Sequence, residues 1–411
     1  MKVRRFTIFR LLSLFVALIV GFCACDQTGQ LFLPGTFETE APANEIPVGV
    51  VLSVTGRFAA SSGVSIGHGL DLALEEINRS QRNGRQIRFI IADDESTVAG
   101  AVEAYNKLIQ DWFIYEITSL VTEVEAYNKL IQDGIPVILG PATSSQTEAA
   151  FPVAQEHGVV AMSPTSTARG LSALGDYLFR AALTTDVVIP SGIETTHAKL
   201  GYQTAATMYD DTDVFSTDSD LAVRETLATK GVEVLITETF RGGDTDFTAQ
   251  LTRINEMNPD VIFVSAQAPE KPGILTQGRQ VGIPVSVPFI VRTLTTANVQ
   301  AAGTAAEGAI TFVGWASTAN TPGNQVFVQN YTEKYGEAPD NYAARAYVAL
   351  SVLAEAIANA PSINSTAIRD ALANITDFDT VAGKFSFNTV GDAVYEPKIL
   401  IVKDGELQIF E

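Results

Sequence analysis

The sequence is poor in cysteine and histidine, the residues that most often form disulfides and bind transition metals. Its only cysteines are Cys23 and Cys25, so everything after residue 25 can form neither a disulfide nor a thiolate metal site. The three histidines, His68, His157 and His197, are far apart in the sequence and show no ligand spacing. We therefore expect neither a metal ion nor a cofactor in this protein.

Sequence motifs of catalysis are also missing. The chain has no Walker A phosphate loop, no HExxH motif and no GxSxG nucleophile elbow. The pair Asp93-Asp94 could serve acid–base chemistry, but the acid and the serine that follow favour a solvated loop that caps a helix. Without a nucleophile and a base at a recognisable spacing, we assign no catalytic residue and expect a protein that is not an enzyme.

Positive charge is scarce, with 27 Lys and Arg against 47 Asp and Glu and a net charge of −20. Such a surface repels phosphate backbones, so we expect no nucleic-acid partner. After the N-terminal segment no apolar run reaches the roughly 18 residues of a membrane span, so the body of the chain should not cross a membrane. The 411 residues, 46% of them hydrophobic, suffice for two domains, each with its own core.

The N-terminus is typical of an export signal. Four basic residues within the first ten precede the apolar run Leu11–Val20, which is too short for a comfortable transmembrane helix. We interpret residues 1–25 as a signal peptide and 26–45 as a flexible tether without periodicity. The protein should then act outside the cytoplasm, in the periplasm or on the outer face of the cell membrane.

The end of this signal resembles that of a bacterial lipoprotein, in which a small residue precedes a cysteine that receives lipid. Cys25 follows Ala24 and fits better than Cys23, which follows the bulky Phe22. The resemblance implies a lipid anchor on Cys25 as the only attachment to the membrane. Plain cleavage near this position, giving a free soluble protein, is the alternative.

Short apolar segments alternate with helical patterns along the chain, which is typical of parallel sheets covered by helices on both faces. The pattern begins at Ile46 and restarts at Thr204. It predicts an α/β protein with two Rossmann-like lobes and a ligand site in the cleft where the carboxyl ends of the strands meet. The expected strands are Ile46–Leu52, Ile87–Ala92, Ile135–Leu139, Val159–Met162, Thr204–Tyr209, Val232–Thr237, Val261–Ser265, Val287–Val291, Lys384–Phe387 and the strand-like Lys398–Ile409.

One segment occurs twice. The decapeptide VEAYNKLIQD stands at 102–111 and again at 124–133, 22 residues later. Each copy has the pattern of a helix, and 22 residues are close to six helical turns. One long helix and a helix with an inserted loop both agree with this spacing, and we interpret the repeat as an insertion without a functional role.

Two loops rich in hydroxyl groups follow the third and fourth expected strands. The first spans Gly140–Gln146 and the second Ser163–Thr167. Hydroxyls and free backbone N–H groups at the start of a helix form an anion site, for which a carboxylate is a natural guest. Ordinary helix capping by serine and threonine is the alternative, but two such loops on adjacent strands favour binding.

Several motifs, in this order and at this spacing, make the chain similar to the type I periplasmic binding proteins. Within that family it resembles the receptors for branched-chain amino acids, including leucine/isoleucine/valine-binding proteins, that serve ABC importers. The resemblance covers nearly all of residues 46–411, apart from the 22-residue duplication, which the family pattern lacks. The motifs are Val50–Phe58, Ala92–Asp94, Ala104–Leu108, Gly140-Pro141, Met162–Pro164, Gly243–Phe247 and Ala305–Gly308.

The resemblance implies two lobes joined by a hinge of three strands. Lobe one would comprise 46–180 and 316–381, and lobe two 181–313 and 384–411. The chain would pass between the lobes near 180–184, 313–316 and 380–384.

The family also implies where the ligand binds. Its first-lobe loops hold the ligand carboxylate, a role that falls by position on Ser144, Ser145, Thr165, Ser166 and Thr167.

The second lobe of the family implies three further contacts, at Phe215, Gln267 and Thr293. It normally supplies an acid for the ligand's ammonium group, but Arg292-Thr293-Leu294 stands at that segment. Either Asp213 or Glu270 takes the role, or the ligand lacks an amine.

The implied function is capture of a small solute that bears a carboxylate, most simply a branched-chain or related amino acid, and its delivery to an ABC permease. We expect a monomer. A ligand-sensing receptor of the same fold and a binder of a carboxylate other than an amino acid are the alternatives.

Overall fold

A computed structural model of the protein describes residues 45–80, 84–119 and 135–411, apart from the side chains of 111–119. The predicted signal peptide, the lipidated Cys25 and the tether up to residue 44 lie outside these residues, as does the second copy of the repeat. Among the residues described, no helix is long and apolar enough to cross a membrane.

Five parallel strands form the first sheet. They are β1 (Glu45–Leu52), β2 (Gln86–Asp93), β3 (Val137–Leu139), β4 (Val160–Ser163) and β5 (Leu178–Arg180). Their order is β2-β1-β3-β4-β5, and Gly49 of β1 lies opposite Ile138 of β3. The strands β3 and β4 are buried along their whole length, as expected for a parallel sheet with helices on both faces.

Five more parallel strands form the main part of the second sheet. They are β6 (Thr204–Asp210), β7 (Glu233–Phe240), β8 (Val261–Ser265), β9 (Phe289–Val291) and β10 (Ile310–Val313). A small separate sheet follows, built from the antiparallel strands β11 (Phe378–Thr380), β12 (Gly383–Phe387) and β13 (Ala393–Val394).

The prediction for the last segment needs a correction. Lys398–Ile409 was expected to be strand-like throughout, but it forms two antiparallel strands, β14 (Lys398–Lys403) and β15 (Glu406–Ile409). Asp404 and Gly405 join them with φ angles of 54° and 77°, which suit a tight hairpin turn. The complete second sheet has the order β15-β14-β10-β9-β8-β6-β7, so it is mixed at one edge rather than purely parallel.

Eleven α-helices cover the sheets in the part of the chain that the structure describes. They are α1 (Val64–Ser80), α2 (Val98–Ser119), α3 (Ser144–His157), α4 (Thr185–Leu200), α5 (Val214–Thr229), α6 (Thr248–Met257), α7 (Lys271–Gln280), α8 (Thr296–Ala302), α9 (Asn324–Tyr335), α10 (Asn341–Asn359) and α11 (Ser365–Ala373). Helices α2 and α3 pack on one face of the first sheet, whereas α1 and α10 belong to the core on the other.

Helix α10 contacts α1 closely although 260 or more residues separate them in sequence. A side chain at Gly69 of α1 would place its Cβ atom 2.1 Å from the carbonyl oxygen of Ala343, so only glycine permits this approach. Asp340 begins α10 by accepting hydrogen bonds from the N–H groups of Tyr342 and Ala343, both 2.9 Å long. We call the first sheet with its covering helices, including α10, the first lobe, and the second sheet with its helices the second lobe.

Candidate functional site

The two hydroxyl loops lie side by side at the carboxyl ends of β3 and β4, as the sequence predicts for adjacent parallel strands. The Ser144 hydroxyl accepts hydrogen bonds from the N–H groups of Thr167 and Ala168, both 3.2 Å long. The Thr165 hydroxyl donates to the carbonyl of Ala142 at 2.6 Å. Ser144 and Thr165 therefore tie one loop to the other.

Two other hydroxyls in these loops behave differently. Ser166 and Thr167 are 1% and 2% exposed. Neither hydroxyl oxygen has a hydrogen-bond partner among the residues that the structure describes. A buried hydroxyl without a partner costs free energy, and in native proteins such groups are rare. These two atoms are therefore the strongest candidates for direct contact with a ligand.

The loops are supported from behind by buried polar contacts. Tyr105, in the first copy of the repeat, donates its hydroxyl hydrogen to the carbonyl of Gly140. Arg180, at the end of β5, donates to the carbonyl of Ala168 and makes an ion pair of 2.6 Å with Asp392. The repeat thus contributes one contact to the floor of the site.

One expectation about this edge of the first sheet is wrong. The loop at Asp93-Asp94 was expected to be solvated, but Asp94 is fully buried. Its carboxylate accepts hydrogen bonds from the Ser53 hydroxyl at 2.6 Å and from the Ser96 N–H at 2.8 Å. Burial raises the pKa of Asp94. The sequence could not predict this contact, because Ser53 follows β1 and Asp94 follows β2, and the two residues meet only when these strands pair.

The second lobe presents its predicted residues at the ends of β6, β8 and β9. Phe215 lies in the first turn of α5, and the Gln267 amide donates to Asp213 at 3.1 Å. Thr293 has a φ of 52°, which is strained for a β-branched residue. Its carbonyl accepts a hydrogen bond of 2.8 Å from the Lys271 ammonium group. All three predicted residues are nearly buried.

Contacts join the two lobes at this edge. The Ser145 hydroxyl donates to Asp213 at 2.9 Å and accepts from the Val214 N–H at 3.0 Å. Two ion pairs flank it, Arg57 with Glu270 at 2.7 Å and Arg169 with Asp218 at 2.6 Å. Of the eight predicted site residues, Ser145 is thus the one whose side chain hydrogen-bonds across the lobes within the described structure, while the Thr167 carbonyl accepts hydrogen bonds from Thr185 at the start of α4.

The two acids considered as partners for a ligand ammonium group are both occupied. Asp213 accepts hydrogen bonds from Ser145, Ser216 and Gln267, and it caps α5. Glu270 pairs with Arg57, and burial raises the pKa of its carboxyl group. Asp213 could receive an ammonium group only by giving up a partner, whereas Glu270 keeps one buried oxygen, Oε2, that has no hydrogen-bond partner within the described residues.

Three buried cations at the site were not predicted. Lys271, Arg292 and Arg345 are 1–2% exposed, and none of them makes an ion pair within the described residues. Burial and the nearby Arg292 charge lower the pKa of Lys271 to about 7. Burial and the Arg345 charge lower the pKa of Arg292 to about 9. A sequence signal existed for Arg345, which is the only charged residue in the apolar first half of α10.

The described residues contain no group of three or more His, Cys, Asp and Glu side chains arranged to hold a metal ion. What the site offers instead is hydroxyl groups from the first lobe and buried cationic side chains from both lobes. Such a set of donors suits an anion rather than a cation.

Comparison with known proteins agrees with the resemblance and the fold class that the sequence predicts, and both are confirmed. Residues 45–113 and 119–399 match the family model described as periplasmic binding protein. The chain is 23% identical over 352 residues to the leucine-, isoleucine-, valine-, threonine- and alanine-binding protein of Pseudomonas aeruginosa, covering 85% of this chain and 87% of that one.

Solved structures give the same result for the fold. A branched-chain amino acid transporter substrate-binding protein of Streptococcus pneumoniae in complex with isoleucine superimposes with a TM-score of 0.76 at 28% identity, covering 89% of this chain and 98% of that one. A solute-binding protein of an ABC transporter from R. palustris, in complex with benzoate, also gives 0.76, at 21% identity and with 89% and 95% covered.

Proposed function

Since the chain belongs to the periplasmic binding protein family, we propose that it is the solute-binding protein of an ABC importer. It captures a small solute with a carboxylate group between its two lobes and delivers it to a permease in the membrane. The similar protein of Pseudomonas aeruginosa binds amino acids, and the R. palustris protein of the same fold binds benzoate. A carboxylate is common to both sets of ligands.

The observation that carries this proposal is the pair of buried hydroxyls without partners, on Ser166 and Thr167. They lie where two parallel strands end, opposite a second lobe that contributes Phe215, Gln267 and Thr293. A carboxylate accepts hydrogen bonds from such hydroxyls, and each bond to a charged group contributes about 1.5–3 kcal/mol. Closure of the second lobe over a ligand held by the first is the usual motion of two-lobed binders.

The first experiment identifies the ligand. Solute released from the purified protein is identified by mass spectrometry, and calorimetry then compares that solute with its amide. We expect the amide to bind at least about tenfold more weakly, since about 1.4 kcal/mol corresponds to one decade. Equal affinity of acid and amide would contradict the carboxylate site.

A second experiment tests the hydroxyl loops. Thr167→Val should weaken binding about tenfold with little effect on folding, because its hydroxyl makes no bond within the described protein. Ser144→Ala should weaken binding and also lower stability, because that hydroxyl accepts two backbone hydrogen bonds. Thr196→Val removes from α4 a buried hydroxyl that bonds to the Gly192 carbonyl and the Tyr202 hydroxyl, so it is the control for Ser144→Ala and should lower stability but leave affinity unchanged.

We further propose that the protein is exported, anchored by lipid on Cys25 and otherwise monomeric. Cys25→Ala should release it from the membrane fraction, while Cys23→Ala should not. Membrane retention of the Cys25→Ala protein would refute the anchor without affecting the ligand site.

A further inference from the structure

Arg292 carries two nitrogen donors that the described part of the protein does not use. One of its terminal nitrogens donates to the Phe312 carbonyl at 2.8 Å, and the guanidinium lies 5.9 Å from the centre of the Phe215 ring. Its Nε and second terminal nitrogen have no acceptor among the residues that the structure describes. The side chain follows the carboxyl end of β9, which is the edge of a parallel sheet where a ligand is expected, so we place these donors at the candidate site.

Arg345 approaches the same place from the first lobe. It lies in the first turns of α10, beside the buried phenol of Tyr395, and is 2% exposed. Its Nε and one terminal nitrogen also lack an acceptor within the described residues. Arg292 and Arg345 are close enough that the charge of one lowers the pKa of the other. The cleft therefore contains two guanidinium groups, one from each lobe.

Neither arginine forms an ion pair within the described part of the chain. Asp213 is held by four donors, Asp218 pairs with Arg169, and Glu270 pairs with Arg57 through Oε1, while its buried Oε2 has no partner. A buried charge without a partner is strongly unfavourable, so its retention needs an explanation. A zwitterionic amino acid would add a third positive charge, because its ammonium group would stand next to two cations.

We propose that the ligand carries two anionic groups and is a small dicarboxylate. One carboxylate binds the hydroxyls of Ser166 and Thr167, and the other lies between Arg292 and Arg345. This inference rests on the proposed function, because it names the class of solute that the same cleft captures. Planar guanidinium groups bind carboxylates through two parallel hydrogen bonds, which matches the unused donors of both arginines.

The test measures binding by calorimetry for succinate, glutarate, adipate and terephthalate, each beside its monoamide, with leucine and benzoate as ligands with one carboxylate. We expect at least one dicarboxylate to bind about 30-fold or more tightly than its monoamide. Arg292→Met and Arg345→Met should each reduce the affinity for that dicarboxylate to the level of the monoamide, and Arg292→Lys should retain part of it. Arg253→Met, which removes an exposed arginine paired with Glu238, should bind as the unchanged protein does.

The outcomes separate the two proposals. If leucine or benzoate binds and no dicarboxylate exceeds its monoamide, the dicarboxylate inference is overturned while the carboxylate-binding function stands. A co-purified solute with a single anionic group would overturn the inference in the same way. If the binding affinity of neither the tested ligands nor the co-purified solute depends on a carboxylate, both proposals fail. Circular dichroism of each variant confirms that lost binding does not reflect lost folding.

Discussion

Two regions of this protein bury arginine side chains, and they treat the charge in opposite ways. Behind the hydroxyl loops, Arg180 is completely buried and donates to Asp392, Ser172 and the carbonyl of Ala168. In the cleft, Arg292 and Arg345 are almost as deeply buried, yet two nitrogens of each have no acceptor within the described residues.

The difference indicates what each arginine is for. A charge kept for structure brings its counter-charge with it, because an ion pair that loses one partner leaves an uncompensated buried charge. A charge kept for a ligand must leave donors unused until the ligand arrives, and the protein is less stable for it. Functional sites are where such local conflicts are expected to persist.

The largest change in stability should come from removing Arg180, whose hydrogen-bond donors all have partners. Arg180→Met would leave the Ala168 carbonyl without its donor and the Asp392 carboxylate without its counter-charge, with only the Ser172 hydroxyl still donating to it, and should lower the free energy of unfolding by about 3–5 kcal/mol. Urea denaturation measures this. The double variant Arg180→Met/Asp392→Leu should recover part of the loss, and equal instability of the two variants would show that Asp392 gains nothing from the pair.

The corresponding arginine-to-methionine substitution in the cleft should change the free energy of unfolding in the opposite direction. Arg292→Met removes a buried charge that lacks a counter-ion, and should raise the unfolding free energy of the ligand-free protein by roughly 1–3 kcal/mol. The exposed Arg253→Met should change it by less than about 1 kcal/mol. If Arg292→Met destabilises the ligand-free protein as Arg180→Met does, the contrast between the two regions is wrong.

The smallest expected effect is the dependence of stability on pH through Lys271. Lys271 has its pKa lowered from 10.5 to about 7 by burial and by Arg292 and Arg345, with Glu270 and Asp213 opposing. Above pH 7 the unfolded chain therefore binds more protons at this site than the folded one, so stability rises with pH until about 10.5. The slope is at most about 1.4 kcal/mol per pH unit. Urea melts at pH 7, 8 and 9 should show this contribution in the unchanged protein and not in Lys271→Met.

Much of the fold follows from local sequence. Val261–Ser265 was predicted as a strand with the bounds that the structure has, because five consecutive apolar and small residues between turns leave little choice. The hairpin at Asp404-Gly405 was missed, since its turn interrupts an apolar pattern that continues on both sides. The lobe boundaries that the family implies stay a prediction.

The position of the candidate site could be predicted from the sequence, but its detail could not. Hydroxyl residues after two neighbouring strands indicated where we expect a ligand to bind. Which of them are free depends on tertiary contacts, such as that of Thr165 with the Ala142 carbonyl, which no local pattern encodes. Arg345 was missed for a related reason, because the sequence predicts a helix there but not that its first turns face a cleft. The binding roles of all these residues stay predictions.

Because the two cleft arginines lie on different lobes, they affect how often an unloaded receptor occupies the permease. Arg345 lies on α10 of the first lobe, and Arg292 lies on the second lobe. Bringing the lobes together without a solute brings like charges together, so the empty closed form is disfavoured and a loaded one is not. A permease that accepts only closed receptors would then seldom be occupied by unloaded ones, and fewer ATP-driven cycles would run without cargo.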